Sequence, residues 1–192
     1  TDTGEANYLN MVQRQGLDPT DLKDLTHAEI EGRKQAIMAI DALRKYTPGF
    51  ENARLRTFGS SLGTRESRKI TGQYTITGDE VKNQARFEDS IGIFPEFLDG
   101  YGVVIIPTTG RYFQVPYRII VPENIDNLLV AGRCVSGDKI SHAALRQMMC
   151  CTVTGQGAGV AAAVSVKDRV STRNVNIEHV QKTLKKQGVR IC

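Results

Sequence analysis

Five residues in the last third of the chain, Leu128-Leu129-Val130-Ala131-Gly132, limit what it can fold into more than any others. A short unbroken apolar run that ends on glycine reads as a buried central strand feeding a tight loop. Beyond it, residues 143–166 are rich in Ala, Met, Val and Gly, and are expected to form a long helix or a turn followed by a helix. Strand, loop and helix in that order make the expected fold class mixed, α+β or α/β.

The rest of the chain is read in the same way. Residues 1–24 are polar, carry the turn signals Gln15-Gly16 and Asp18-Pro19, and suggest an irregular lead-in. Thr26-His27-Ala28-Glu29 has the form of a capping box, and Ile30, Ile37, Ile40 and Leu43 then recur on one helical face. A helix is expected from about 27 to 46, ended by Pro48-Gly49. Residues 53–121 break into short β-like runs: 54–58, 70–77, 102–106 and 117–121, with Val103-Val104-Ile105-Ile106 as a buried strand. Thr108-Thr109-Gly110 and Pro122-Glu123-Asn124 read as turns. A last amphipathic helix starts at Asn176 as N-cap, carries Ile177, Val180 and Leu184 on one face, and stops at Gly188.

Composition removes several function classes. The 192 residues carry 25 Lys+Arg against 21 Asp+Glu, a net charge of +4 spread too evenly for a nucleic-acid footprint. The apolar stretch 155–166 is short, contains three glycines, and is not expected to span a membrane. The opening Thr1-Asp2-Thr3-Gly4-Glu5 lacks the blocks of a signal peptide. Cys134, Cys150, Cys151 and Cys192 form no C-x-x-C pair, and free thiols in a reducing compartment are expected. With three His and no ligand spacing, no metal site is expected.

Between residues 127 and 163 the pattern becomes specific. Asn127 to Ser136, then His142, Arg146 and Met148, then Thr154-Gly155-Gln156-Gly157-Ala158-Gly159-Val160-Ala161-Ala162-Ala163, resemble the C-terminal signature of a large FAD-dependent oxidoreductase family. That family has the glutathione-reductase-type flavin fold. The stretches 25–33, 48–53, 62–72 and 115–118 resemble the same family in the same order. The resemblance implies the C-terminal half of a two-domain FAD-binding fold. Residues 1–121 would be a helix plus a β-rich substrate lobe, and 122–192 the last strand and helix of the flavin domain.

Family members hold the FAD pyrophosphate on a G-x-G-x-x-G turn between strand and helix. No such turn follows a strand here. Gly155-x-Gly157-x-Gly159 lies inside the Ala-rich helical segment, where small residues serve close packing against sheet or flavin. The expected partners are therefore FAD, a small organic substrate, and an N-terminal segment or second chain bearing the dinucleotide-binding turn. The implied activity is hydride transfer between flavin and substrate. A non-catalytic subunit that keeps the fold for association is the other reading, motivated by the missing turn.

The resemblance also assigns residues. Ala131, Gly132 and Arg133 fall at the ribityl contact, glycine for close backbone approach and arginine for phosphate or carboxylate. Met148, Met149 and Cys150 fall at the N-terminus of the helix aimed at the pyrimidine edge, where amides favour negative charge. The family's first helical position is expected to hold Pro, where this chain has Met149. His142 and Arg146, four apart, more loosely resemble the His-x-x-x-Arg element of fumarate-reductase and succinate-dehydrogenase flavoproteins, which faces substrate. Their plainer reading is a His capping backbone and an Arg bridging to Asp138 or Glu123. Arg65, beside Glu66 and Arg68, reads as a substrate-side anion site or as a salt-bridged strand end. Tyr117 and Arg118 read as lining the flavin face, or Tyr117 as core. Cys134 and Cys150 lie where a thiol meets flavin, or are inert buried thiols.

Overall fold

The computed structural model describes Gly4, residues 9–100 and residues 102–192, with the backbone alone at Val103. Most of the opening stretch read above for a signal peptide lies outside the described residues. The chain divides into two compact units, Thr1–Ser67 and Arg68–Cys192.

The first unit is built on α1, Leu22–Tyr46. It starts five residues earlier than the capping-box pattern implied. The Asp21 carboxylate caps it by accepting the Lys23 amide at 2.8 Å. The Thr26 hydroxyl instead donates to the Leu22 carbonyl at 2.8 Å, and Glu29 pairs with Arg33 at 2.6 Å. A turn at Asp18, whose carbonyl accepts the Asp21 amide at 3.0 Å, leads into the helix. Gly49, at φ +88°, turns the chain out of it. The stretch 53–60 then returns along α1 without becoming the expected strand at 54–58. Arg44 donates to the Ala53 carbonyl at 2.6 Å, and Arg33 donates to the Ser60 carbonyl at 3.2 Å while covering the Phe58 ring. Of the helix's residues only Ala28 is buried; Ile30 and Ile37 of the expected apolar face are exposed.

The second unit holds the core. Its elements are α2 (Gly78–Lys82), β1 (Ser90–Pro95), β2 (Leu98–Gly100), β3 (Val103–Ile105), β4 (Tyr112–Pro116), α3 (His142–Leu145), α4 (Met148–Asp168) and α5 (Ile177–Lys186). Among the described residues these make, with α1, five α-helices and two small antiparallel sheets, β1–β4 and β2–β3. β1 and β4 pair with Phe94 opposite Phe113 and a bulge between Ser90 and Gly92. α4 lies across β1 through small residues. A Cβ on Gly157 would stand 2.5 Å from Ile91 Cδ1, and one on Gly92 would stand 2.6 Å from Val153 Cγ1. The glycine repeat therefore serves packing at Gly157, while Gly155 and Gly159 face open space. α5 follows the sequence reading: Asn176 caps it by accepting the His179 amide at 3.1 Å, and Val180 and Leu184 are fully buried.

Several strand expectations fail. At 70–77 only isolated bridges form, Gly72 to Pro122 and Ile76 to Gly137. At 102–106 the strand is short, and Val104 and Ile106 are exposed instead of buried. Residues 117–121 begin as a 3-10 turn, Tyr117–Ile119, and the strand lies just before them. Leu128 to Ala131 forms no regular element and joins no ladder among the described residues. Val130 N–H donates to the Ile120 carbonyl at 2.9 Å, and Leu128 is 41% exposed. The segment from 143 on takes the turn-then-helix form. α4, at 21 residues, is long and apolar enough by length and composition to cross a membrane, which the shorter 155–166 stretch did not suggest. It packs against β1, α5 and the Gly132 turn, as a core helix does. The expected division at residues 121 and 122 concerns cap against flavin domain; both sides of it contribute to this one core.

Candidate functional site

Within the second unit, α3, the first turns of α4 and the loop at Ala131 come together. Gly132 opens a 3-10 turn, Gly132–Cys134, at φ +82°, a left-handed conformation that glycine adopts without strain. Nothing lies within 4 Å of where its Cβ would be, so its outer face is open to close approach. Ala131 and Arg133 are exposed on either side.

Two buried side chains pin this loop from behind. The Gly132 amide donates to the Thr154 hydroxyl at 3.0 Å. His142, 1% exposed, sets Nε2 3.0 Å from the Arg133 carbonyl. A carbonyl can only accept, so Nε2 carries the proton in this contact. Here the backbone-capping reading of His142 describes the observed geometry.

Arg146 is 11% exposed along its side chain. Its guanidinium donates to the Asp99 carbonyl and stands 3.7 Å from the Asp99 carboxylate. The ion-pair partner is thus Asp99 on β2, and not Asp138 or Glu123. Asp138 instead accepts the Gly78 and Ser141 amides at 3.0 and 2.6 Å.

α4 begins at Met148, with Gln147 in the N-cap position but no side-chain cap. The first amide bonded back is Cys151 N–H, to the Gln147 carbonyl at 2.9 Å. The amides of Met148, Met149 and Cys150 precede the intrahelical ladder, as in any first turn. The side chains of Met148 and Met149 are 85% and 71% exposed, while Cys150 is fully buried. Burial pushes the Cys150 thiol well above the usual thiol range. Cys151, half-buried, is also raised by burial, with Arg133 acting in the opposite sense. Cys134 donates its thiol to the Ala131 carbonyl at 3.5 Å.

Tyr117 is buried, and its hydroxyl donates to the Thr172 carbonyl at 2.6 Å. Arg118 grips Asp89 at 2.9 Å and lies over the Tyr74 ring. Neither shares a hydrogen bond with the Gly132 loop. Arg65 is exposed and belongs to the first unit. Sequence reasoning gave no role to two residues of the cluster, Thr154 and Asp99. Thr154 stood in the signature stretch, but with Thr152, Gln156 and Ser165 on the same helix nothing in the pattern singled it out; Asp99 gave no signal.

A family model described as FAD dependent oxidoreductase matches residues 2–184. The chain belongs to the FAD-dependent oxidoreductase family. No curated protein and no solved structure matches it. Membership makes this a flavin oxidoreductase with FAD as its cofactor. The Gly132 cluster fits that group: an open glycine, an exposed arginine and an uncapped helix start suit a ligand that carries phosphates and gains electrons.

Proposed function

We propose that the chain forms the substrate-facing and C-terminal part of a flavoenzyme with the glutathione-reductase-type fold, residues 1–121 acting as cap and 122–192 as flavin domain. The observation that carries this is the pinned, left-handed Gly132 loop beside the uncapped start of α4. Ala131, Gly132 and Arg133 would border the ribityl chain and pyrophosphate. The amides of Met148, Met149 and Cys150 would hold negative charge at the pyrimidine edge. Bound FAD supplies hydride exchange at N5 with a small organic substrate. Arg146, oriented by Asp99, would clamp an anionic substrate oxygen, and His142 would carry a proton on the same side. Tyr117 and Arg118 would lie on the substrate side, Tyr117 through packing and not through its hydroxyl, which is already bonded.

The dinucleotide-binding turn would come from another segment or a second chain. The run at Leu128, which joins no ladder among the described residues, and the exposed Met148 and Met149 support such a neighbour. Native purification tests the proposal. Yellow protein whose visible bands bleach under anaerobic reductant and return in air is expected, with any second polypeptide carrying G-x-G-x-x-G. Colourless, well-folded protein that takes up no added FAD would contradict it and favour a purely associative role.

A further inference from the structure

Thr154 is fully buried in α4, and its hydroxyl makes two hydrogen bonds of 3.0 Å, accepting the Gly132 amide and donating to the Cys151 carbonyl. The directions are fixed by chemistry, since an amide only donates and a carbonyl only accepts. We propose that Thr154 is the positioning residue of the flavin loop, tying Gly132 to the first turn of α4 so that loop and helix start face the cofactor as one rigid piece. This rests on the FAD reading above.

The left-handed Gly132 joins no strand ladder among the described residues; besides this tether, its own carbonyl accepts the Val135 amide at 3.4 Å and His142 holds the Arg133 carbonyl one residue on. A further consequence is that the Gly132 N–H is engaged inside the protein. Contact with ribityl hydroxyls or phosphate then falls to other groups of the loop, and Gly132 serves by presenting an open face.

The test compares Thr154→Val, close in shape but without the hydroxyl, with Thr154→Ser, which keeps it. Both are made in the full chain with any chain that co-purifies. In flavin-stripped protein, Thr154→Val should speed hydrogen exchange at the Gly132 amide about ten-fold or more, the effect of losing one buried hydrogen bond. On adding FAD, the same variant should raise the dissociation constant by about ten-fold, while Thr154→Ser stays near wild type in both. Unchanged exchange in Thr154→Val would overturn the tether, and faster exchange with unchanged FAD affinity would overturn its positioning role. If wild type itself takes up no FAD, the flavin reading falls, and the exchange comparison still decides the tether. Thr154→Cys, near serine in size but a weak hydrogen-bonding group, carries the same comparison where the valine variant does not fold.

Discussion

Gly157 and Gly155 sit two residues apart on one helix, and physical chemistry assigns them opposite substitution effects. A methyl on Gly157 runs into Ile91, which is itself fully buried and cannot give way. Gly157→Ala should therefore destabilise the flavin-free protein by about 1–3 kcal/mol in urea unfolding. Gly155→Ala meets nothing and should stabilise it by about 0.5–1 kcal/mol through helix propensity alone. Equal effects would contradict the packing of α4 on β1. The sequence showed three evenly spaced glycines but could not say which faced the sheet, because the helix phase is set by its partner.

Tyr74 yields a pH prediction. Burial, and then its bond to the Glu80 carboxylate, raise its phenol from 10.0 to about 12, against a smaller opposing pull from Arg118. The folded state thus holds the proton more tightly than the unfolded chain. That contribution is complete below about pH 10 and is lost as pH rises towards about 12. Urea midpoints should fall more steeply across that window in wild type than in Tyr74→Phe. Parallel curves would show that Tyr74 is not held as described.

At the scale of elements, the β2–β3 hairpin is fastened to α3 by Arg146 and Asp99. Arg146→Ala removes a charge-assisted bond and should raise hydrogen exchange of the β3 amides about ten-fold or more, with β1 and β4 unaffected. Exchange that rises everywhere would mean global destabilisation instead. This junction was invisible in the sequence, since residues 47 apart are joined through a backbone carbonyl. By contrast α5 was legible almost to the residue, because cap, apolar stripe and terminal glycine are all local signals. The run at Leu128 failed in an instructive way. Its apolar pattern implied burial, yet none of its residues is buried, and a strand also needs a neighbour, which none of the described residues supplies. The strand set at Tyr117 was misplaced because Pro116 precedes a 3-10 turn that local β propensity does not reveal.

At the scale of the molecule, the second unit carries nearly the whole core, from Ile76 to Ile191. Residues 68–192 should accordingly unfold in one cooperative urea transition when produced alone; a broad, non-cooperative curve would contradict the division at Ser67. The family was legible from ordered motifs, while the strand pairings within residues 68–121 were not, since they depend on contacts distant in sequence. The central claim is that the Gly132 loop and the start of α4 form a wall of the flavin site. Hydrogen exchange of natively purified protein, with and without its FAD, tests it most directly. Protection by FAD concentrated at residues 128–134 and 148–151 is the result expected here, and FAD protection that leaves both segments unchanged would contradict it.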